Sequence, residues 1–549
     1  EFPEINNYLL NLLYRRNVRT SEEIEQFLQP EYNRDSIDPY QFRQMKQACD
    51  LIYQTIEQKQ VITIHGDYDA DGVCASTILI LTLERLGATV NCFLPHREKD
   101  GYGLNAKTVD YLQQQGTKLI ITCDCGISNI KEIEQANSLG LHVIVTDHHQ
   151  VPPELPAAAA IIHPKVPGET YPFKELAGGG VAFKLAQGLL RHPLCQLTEQ
   201  DKEIHEKWLL DLVAISSIAD MVSLLGETRL YAKFGLHVMR KNRREGLKAL
   251  LEVASISPES ITEQTVGYQI APRINAAGRV DHANAALYLL RETDSDKAKE
   301  LALALQETNV LRQKQTDTMT SEALRQPVGD EPVLFFYNEA WPLGLTGLVA
   351  GKLVREYGKP CFVFGFDGEK IVGSARSVDG INIMEPVRLA EKHLLSFGGH
   401  PQACGVRLAS DQFDTFKQII LDWARQKLGT REVTQRLEVE AVIPFTEVNW
   451  TLVDSLQKCS PFGMDNPEPI FASYAVDVIS AVLVGKESKH LKLTLRQGTK
   501  TIPAIAFGQA ASLPTVGSEV DVAYTISVNQ WNGNREIQLQ IISIKTHER

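Results

Sequence analysis

The sequence predicts an α/β protein: two α/β domains joined by a long helix, with a small β-barrel at the C-terminal end. Three observations carry this expectation. Short β-branched apolar runs, VITI at 61–64, TVNCFL at 89–94, KLIIT at 118–122 and LHVIVT at 141–146, alternate with helix-compatible segments, as repeated βα units of a parallel sheet do. A stretch at 294–326 contains neither Gly nor Pro, and a helix of that length reaches roughly 50 Å at ~1.5 Å per residue. Beyond residue 433, HLKLTL, TIPAIAF, EVDVAYTIS and REIQLQIISI alternate in polarity between turns such as WNGN and RQGT, the pattern of a closed antiparallel module.

In chain order, residues 1–55 have apolar positions at helical spacing in LLNLLYRR and YQFRQMKQACDLIYQTI and read as a helical packing segment. Residues 56–240 form the first α/β domain, closed by the helical patterns GGGVAFKLAQGLL and KWLLDLVAISSIAD. Residues 241–326 are a charged helical region ending in the connecting helix. Residues 327–432 hold a second α/β domain, in which PVLFFYN and PCFVFGF flank the helical LTGLVAGKLVREYG. Residues 433–549 form the barrel.

With 549 residues the chain has material for several packed domains. A net charge of −12 argues against wholesale electrostatic coating of nucleic acid or anionic membrane, while allowing a local basic channel. Nine cysteines make no dense disulfide framework, and no long apolar run suggests a membrane span. The expected location is the cytoplasm, away from membranes.

Three early strands finish in groups that can bind metal. VITI leads to HGDYDADG, KLIIT to Cys123 and Asp124, and LHVIVT to DHH at 147–149. In an open α/β sheet the carboxyl ends of the strands form the ligand crevice, so these residues converge there. Carboxylates forced together need cations to offset their repulsion and desolvation, and oxygen ligands with a minority of imidazoles suit Mn²⁺ or Mg²⁺ better than structural zinc. A pair of such ions about 3.5–4 Å apart points to phosphoester hydrolysis. GGGVAF at 178–183 lacks the lysine and strand context of a phosphate loop.

These motifs resemble the DHH phosphoesterases, and within them the RecJ single-strand-specific exonucleases, over residues 50 to 545. The resemblance is carried by HGDYDADGVCAST, PHREKDGYGLN, ITCDCGIS, VTDHHQ, SSIADMVSLLGETR, APRINAAGRVDHANAALYLL, FGGHPQACG and CSPFGMDNPEPIF in their order and spacing. It makes the first α/β domain a DHH domain, the second a DHH-associated domain with the GGH motif, and the barrel an OB-like nucleic-acid-binding domain. The fourth motif departs from the common IADVVPL, reading IADMVSL with Met221 and Ser223 but keeping Asp220.

The resemblance implies that His65, Asp69 and Asp124 hold one divalent cation, Mn²⁺ or Mg²⁺, and that Asp71, Asp124, His148 and Asp220 hold a second, with Asp124 bridging. Asp67 becomes a helper carboxylate, and His149 lies near the scissile phosphate or orients the metal shell. Asp69, Asp71, Asp124, His148, His149 and Asp220 form the expected catalytic set. Arg97, Tyr102, Gly103, Arg279, Arg376 and His400 are expected to hold substrate, with Trp531 and Tyr524 as stacking rings on the barrel beside a basic face at 486–500. The implied activity is 5′ to 3′ digestion of single-stranded DNA to 5′-mononucleotides in repair and recombination, with a helicase and a single-strand-binding protein as candidate partners. A DHH phosphodiesterase acting on oligoribonucleotides or cyclic dinucleotides, and a non-catalytic DNA-binding replication factor of the same fold, stay open as alternatives.

Overall fold

The structure, a computed structural model, describes residues 6–97, 100–280, 282–428, 437–531 and 534–548, without the side chains of Leu428, Lys486, Gln530 and Trp531. The first sheet consists of β1 (Val61–His65), β2 (Thr89–Phe93), β3 (Thr117–Cys123), β4 (His142–Thr146) and β5 (Ala160–Ile162) in the order β2-β1-β3-β4-β5. All its pairings are parallel. Because β1 lies between β2 and β3, the direction of progression reverses at β1, and the crevice beyond the carboxyl ends of β1 and β3 is the topological switch point.

Helices α1 (Ala70–Arg85) and α2 (Gly178–Arg191) pack against this sheet, and α3 (Leu210–Ala219) packs on both helices. Buried residues occur around the whole circumference of α1 and α2, as a helix enclosed on all sides requires. Helix α4 (Ala271–Val280) leads towards α5 (Ser295–Leu324), an uninterrupted 30-residue helix about 45 Å long at ~1.5 Å per residue. Its N-terminal half contributes Ala298, Ala302 and Leu305 to the core of the first domain, while Met319 and Ala323 belong to the core of the second domain.

That second domain is a mixed sheet of β6 (Leu334–Tyr337), β7 (Cys361–Phe366), β8 (Lys370–Arg376), β9 (Ser396–His400) and β10 (Ala403–Ala409), ordered β6-β7-β8-β10-β9. Only β6 and β7 run parallel. The C-terminal domain contains β11 (Ala441–Val442), β12 (Phe471–Val484), β13 (His490–Gln497), β14 (Lys500–Ala506), β15 (Glu519–Trp531) and β16 (Asn534–Thr546). Pairing of β12 with β15 closes this sheet into a barrel.

The N-terminal segment divides between two cores. Leu9, Leu12, Leu13, Ile24 and Phe27 join the barrel core, whereas Met45, Cys49 and Ile52 join the core of the first domain. Arg229 ties the pieces together: its guanidinium donates to the carbonyls of Phe27 (3.1 Å), Lys458 (3.0 Å), Cys459 (2.7 Å), Ser460 (2.9 Å) and Pro461 (3.2 Å). The CSPFG stretch is therefore a docking loop for the first domain.

Candidate metal centre and substrate cleft

Each acidic strand end is shaped by backbone requirements. After β1 the chain turns so tightly that a Cβ on Gly66 would lie 2.0 Å from Ser76 Oγ, and one on Gly72 2.6 Å from Asp67 Cβ. Asp69 caps α1, accepting from the amides of Asp71 (2.9 Å) and Gly72 (3.1 Å). The amide of Ala70, another first-turn donor, is taken by Asn275 Oδ1 on α4 at 2.7 Å. Asp124, directly after β3, has φ +61°, a left-handed conformation that a non-glycine residue adopts at some cost. Its amide donates to Thr146 O at 3.0 Å, which pins the ends of β3 and β4 together.

The side chains converge as expected from the switch point. His148 Nε2 lies 3.0 Å from Asp124 Oδ1, 3.6 Å from Asp71 Oδ2 and 3.6 Å from Asp220 Oδ2. Three groups have ligand atoms within 4.8 Å of one another: Asp71, His148 and Asp220; Asp67, Asp69 and Asp124; and Asp124, His148 and His149. Asp67, given a helper role above, thus stands among the ligand-distance carboxylates. Among the described residues, the clusters of three do not include His65.

Four buried atoms here have no hydrogen-bond partner: His65 Nε2, Asp67 Oδ1, Asp124 Oδ1 and His148 Nε2. Even the 3.0 Å approach of His148 to Asp124 is not aligned as a hydrogen bond. Burial, compounded by Asp71 and other carboxylates, pushes the Asp124 carboxyl well above its ordinary range; burial and Asp69 do the same to Asp67. Asp220 is pushed up to about 8 by burial and Asp71, and burial takes the His148 ring down to about 4. Buried, mutually repelling and unsatisfied donor atoms of this type are what divalent cations relieve.

Asp147, the first residue of DHH, is not one of these orphans. Its carboxylate accepts from the amides of Ile127 (3.0 Å), His148 (2.7 Å) and His149 (3.1 Å), and from His149 Nδ1 at 2.8 Å. Nδ1 lies 3.7 Å from Asp124 but, committed to Asp147, carries hydrogen and has no lone pair for a metal. Burial opposes charge on this ring, yet the Asp147 hydrogen bond and negative field outweigh it and lift His149 to about 9. Tyr102 Oη donates to Asp124 O (3.0 Å) and sits 3.0 Å from the same Nδ1, bracing the ring.

A cleft of about 1220 Å³ is lined by Arg97 and Arg279 from the first domain and by Ser374, Phe397, Gly398 and Arg407 from the second; it adjoins the centre through Arg97, which packs on Tyr68 between Asp67 and Asp69, and its lining does not include Arg376 or His400. Arg97 stacks 4.0 Å over the Tyr68 ring and donates to Gly278 O; Arg279 donates to Gly344 O at 3.1 Å. Burial and the neighbouring Arg97 charge push Arg279 below the ordinary guanidinium range. Arg376 donates to its neighbour's carbonyl, Ala375 O, at 2.9 Å. Each guanidinium has further N–H groups for an anion. Arg376 and His400 stand on either side of Ala403 in adjacent strand pairs, so β8 and β9 present them along one line. Burial, together with the charges of His149 and Lys165, lowers the His400 pKa, which places His400 within the electrostatic reach of the centre.

Matches to known families cover the chain in three parts: the DHH family N-terminal domain at 61–217, the DHHA1 domain at 330–426 and the RecJ OB domain at 439–543. Single-stranded-DNA-specific exonuclease RecJ of Haemophilus influenzae is 31% identical over 98% of this chain and 96% of its own length. The protein belongs to the RecJ family. The RecJ of Bacillus subtilis is 38% identical over 98% of this chain and 68% of its own. The crystal structure of Thermus thermophilus RecJ in complex with Mn²⁺ superimposes with a TM-score of 0.85, at 28% identity, covering 100% of this chain and 77% of that one. The protein is accordingly a DHH-superfamily phosphoesterase that uses divalent cations.

Other expectations are altered by packing. Gly103 has φ +75°, and a Cβ there would meet Asn129 Oδ1 at 2.5 Å, so its side-chain-free turn serves the loop that carries Tyr102. Tyr524 is not a stacking ring: it is fully buried, with its hydroxyl 2.9 Å from Ser473 Oγ. On the basic face at 486–500, two of the five cations are paired, Lys489 with Glu487 at 2.6 Å and Arg496 with Asp477 at 3.0 Å. The side chains of Trp531 and Lys486 lie outside the described residues. Met221, at the departure in the fourth motif, is exposed with φ +56°, and so alters the surface beside Asp220 without entering the cluster. Among the described residues, none of the helices is long and apolar enough to cross a membrane.

Proposed function

We propose that the protein is a single-strand-specific DNA exonuclease that digests from the 5′ end and releases 5′-mononucleotides. The observation that carries this reading is the convergence of orphaned acidic and imidazole atoms beside a cleft edged by guanidiniums from two domains. The single-strand preference is supported by the single-stranded-DNA-specific exonuclease activity for which the RecJ relatives are named, and the polarity by the motif resemblance.

Asp67, Asp69 and Asp124 would hold one cation, with His65 Nε2 as a further donor; Asp71, His148 and Asp220 would hold the other, sharing Asp124. Bound there, two ions of Mn²⁺ or Mg²⁺ supply Lewis-acid polarisation of the phosphodiester and a lowered pKa for the attacking water. His149, cationic and steered through Nδ1 by Asp147 and Tyr102, offers its Nε2–H to a phosphoryl oxygen of the scissile group. Arg97, Arg279, Arg376 and His400 hold the strand's phosphates across the cleft, and Lys492, without an ion pair among the described residues, extends the path onto the barrel. Single-stranded DNA is the partner this surface requires.

The test is digestion of 5′- and 3′-labelled single- and double-stranded DNA and RNA with Mn²⁺ or Mg²⁺. The expected result is early release of the 5′ label from single-stranded DNA and resistance of circular strands. Preferential cleavage of short oligoribonucleotides or cyclic dinucleotides would replace this reading by the phosphodiesterase alternative, and absence of hydrolysis by the non-catalytic one.

A further inference from the structure

The GGG stretch opening α2 and the first of the paired serines in α3 have no part in the ligand set, yet both touch Asp71. Asp71 Oδ2 accepts from the amide of Gly178 at 2.7 Å. Oδ1 accepts from the amide of Gly179 at 2.7 Å and from the hydroxyl of Ser216 at 2.6 Å. The two amides belong to the first turn of α2, where N–H groups have no partner inside the helix and the helix dipole favours an anion. Glycine is required for this approach. A Cβ on Gly178 would stand 2.6 Å from Asp124 Cβ, and one on Gly179 2.4 Å from Ser216 Oγ.

Ser216 behaves unlike two buried threonine hydroxyls of α1. Thr77 and Thr82 on α1 donate back to the carbonyls four residues earlier, Val73 and Ile78, the usual resting place of a hydroxyl inside a helix. Ser216 instead donates to a carboxylate on another element. It lies one helical turn before Asp220, so residues at i and i+4 of one helix face the same pocket: Asp220 at its edge and Ser216 behind Asp71. The helix is itself fixed by Asp211, whose carboxylate receives both Nε (2.7 Å) and Nη2 (2.9 Å) of Arg244.

We infer that Ser216, with the amides of Gly178 and Gly179, is a positioning device that holds Asp71 as a fixed anion and turns its remaining lone pairs towards the cation shared with His148 and Asp220. The inference rests on the reading of Asp71 as a metal ligand under Proposed function. Three donors saturate the inner side of the carboxylate and leave Oδ2 facing His148 Nε2 at 3.6 Å. Removing the hydroxyl frees Asp71 to rotate while leaving every ligand in place, so the loss falls on one ion.

The experiment is a Mn²⁺ titration of the full chain by calorimetry and electron paramagnetic resonance, comparing wild type, Ser216→Ala, Ser217→Ala, Asp220→Asn and Asp67→Asn, with thermal melts to verify folding. Ser216→Ala is expected to weaken one of two Mn²⁺ ions by about 10-fold or more, the size typical of losing a partner that orients a metal ligand. That ion is the one lost in Asp220→Asn and retained in Asp67→Asn, and Ser217→Ala, one residue along the same helix, leaves both affinities unchanged. Hydrolysis by Ser216→Ala recovers at high Mn²⁺. Unchanged affinity in Ser216→Ala beside a two-ion wild type, or equal weakening of both ions or by Ser217→Ala, overturns the positioning role alone. A wild type that binds no Mn²⁺ overturns both this role and the metal-ligand reading beneath it.

Discussion

Two regions of the molecule bury comparable charge and treat it in opposite ways. At the domain junction, Arg229 is buried and satisfied by five carbonyls, and nearby Lys184 and Glu227 form an ion pair at 3.0 Å within a hydroxyl network that includes Tyr231. At the ends of β1, β3 and β4, buried His65, Asp67, Asp124 and His148 each keep an atom without a partner. A satisfied buried charge specifies how parts fit, whereas an orphaned one is a stored cost that a bound ion removes. Burial alone therefore does not mark a site; orphaned carboxylate and imidazole atoms gathered within 4.8 Å of one another do.

The contrast is broken most severely at its functional end. Asp124→Ala is expected to reduce hydrolysis on the order of 10³-fold or more while the protein still folds, measured by nucleotide release at saturating Mn²⁺. At the structural end, Arg229→Met leaves buried carbonyls without donors and is expected to cost about 3–5 kcal/mol in urea unfolding, with residual activity in the fraction that stays folded. Arg279→Met, in the cleft, should raise KM roughly 10-fold with a smaller change in kcat, since it removes a phosphate contact made before the chemical step. The smallest effect is expected on the barrel: Lys489→Ala should scarcely alter the salt dependence of DNA binding, because Glu487 already neutralises this exposed charge.

The same contrast explains what was legible in the sequence. Strand ends carrying HGDYDAD, CDC and DHH announce a crevice because a parallel sheet brings its carboxyl ends together whatever lies between. The barrel and the connecting helix follow from periodicity. Partner identity is another matter, since it depends on contacts between distant segments. Asp147 and Asp67 stand in equivalent-looking acidic motifs, yet one is saturated by amides and the other is orphaned. Ser216 had one local signal, its i, i+4 spacing from Asp220, but its bond to Asp71 crosses 145 positions. Tyr524 shows the limit of alternation: the pattern marks a strand, but which face meets the core was set by β12, β16 and the N-terminal helices.

The central claim, that the orphaned cluster exists to hold divalent cations and burdens the fold without them, is tested most directly by thermal unfolding of wild type and Asp124→Asn with and without Mn²⁺. Asn tolerates the positive φ at this position. The expected result is that metal-free Asp124→Asn melts at or above metal-free wild type, because one member of a repelling set is gone, and that Mn²⁺ raises the wild-type Tm far more than the variant's. A metal-free variant that melts well below wild type, as Arg229→Met should, would contradict it.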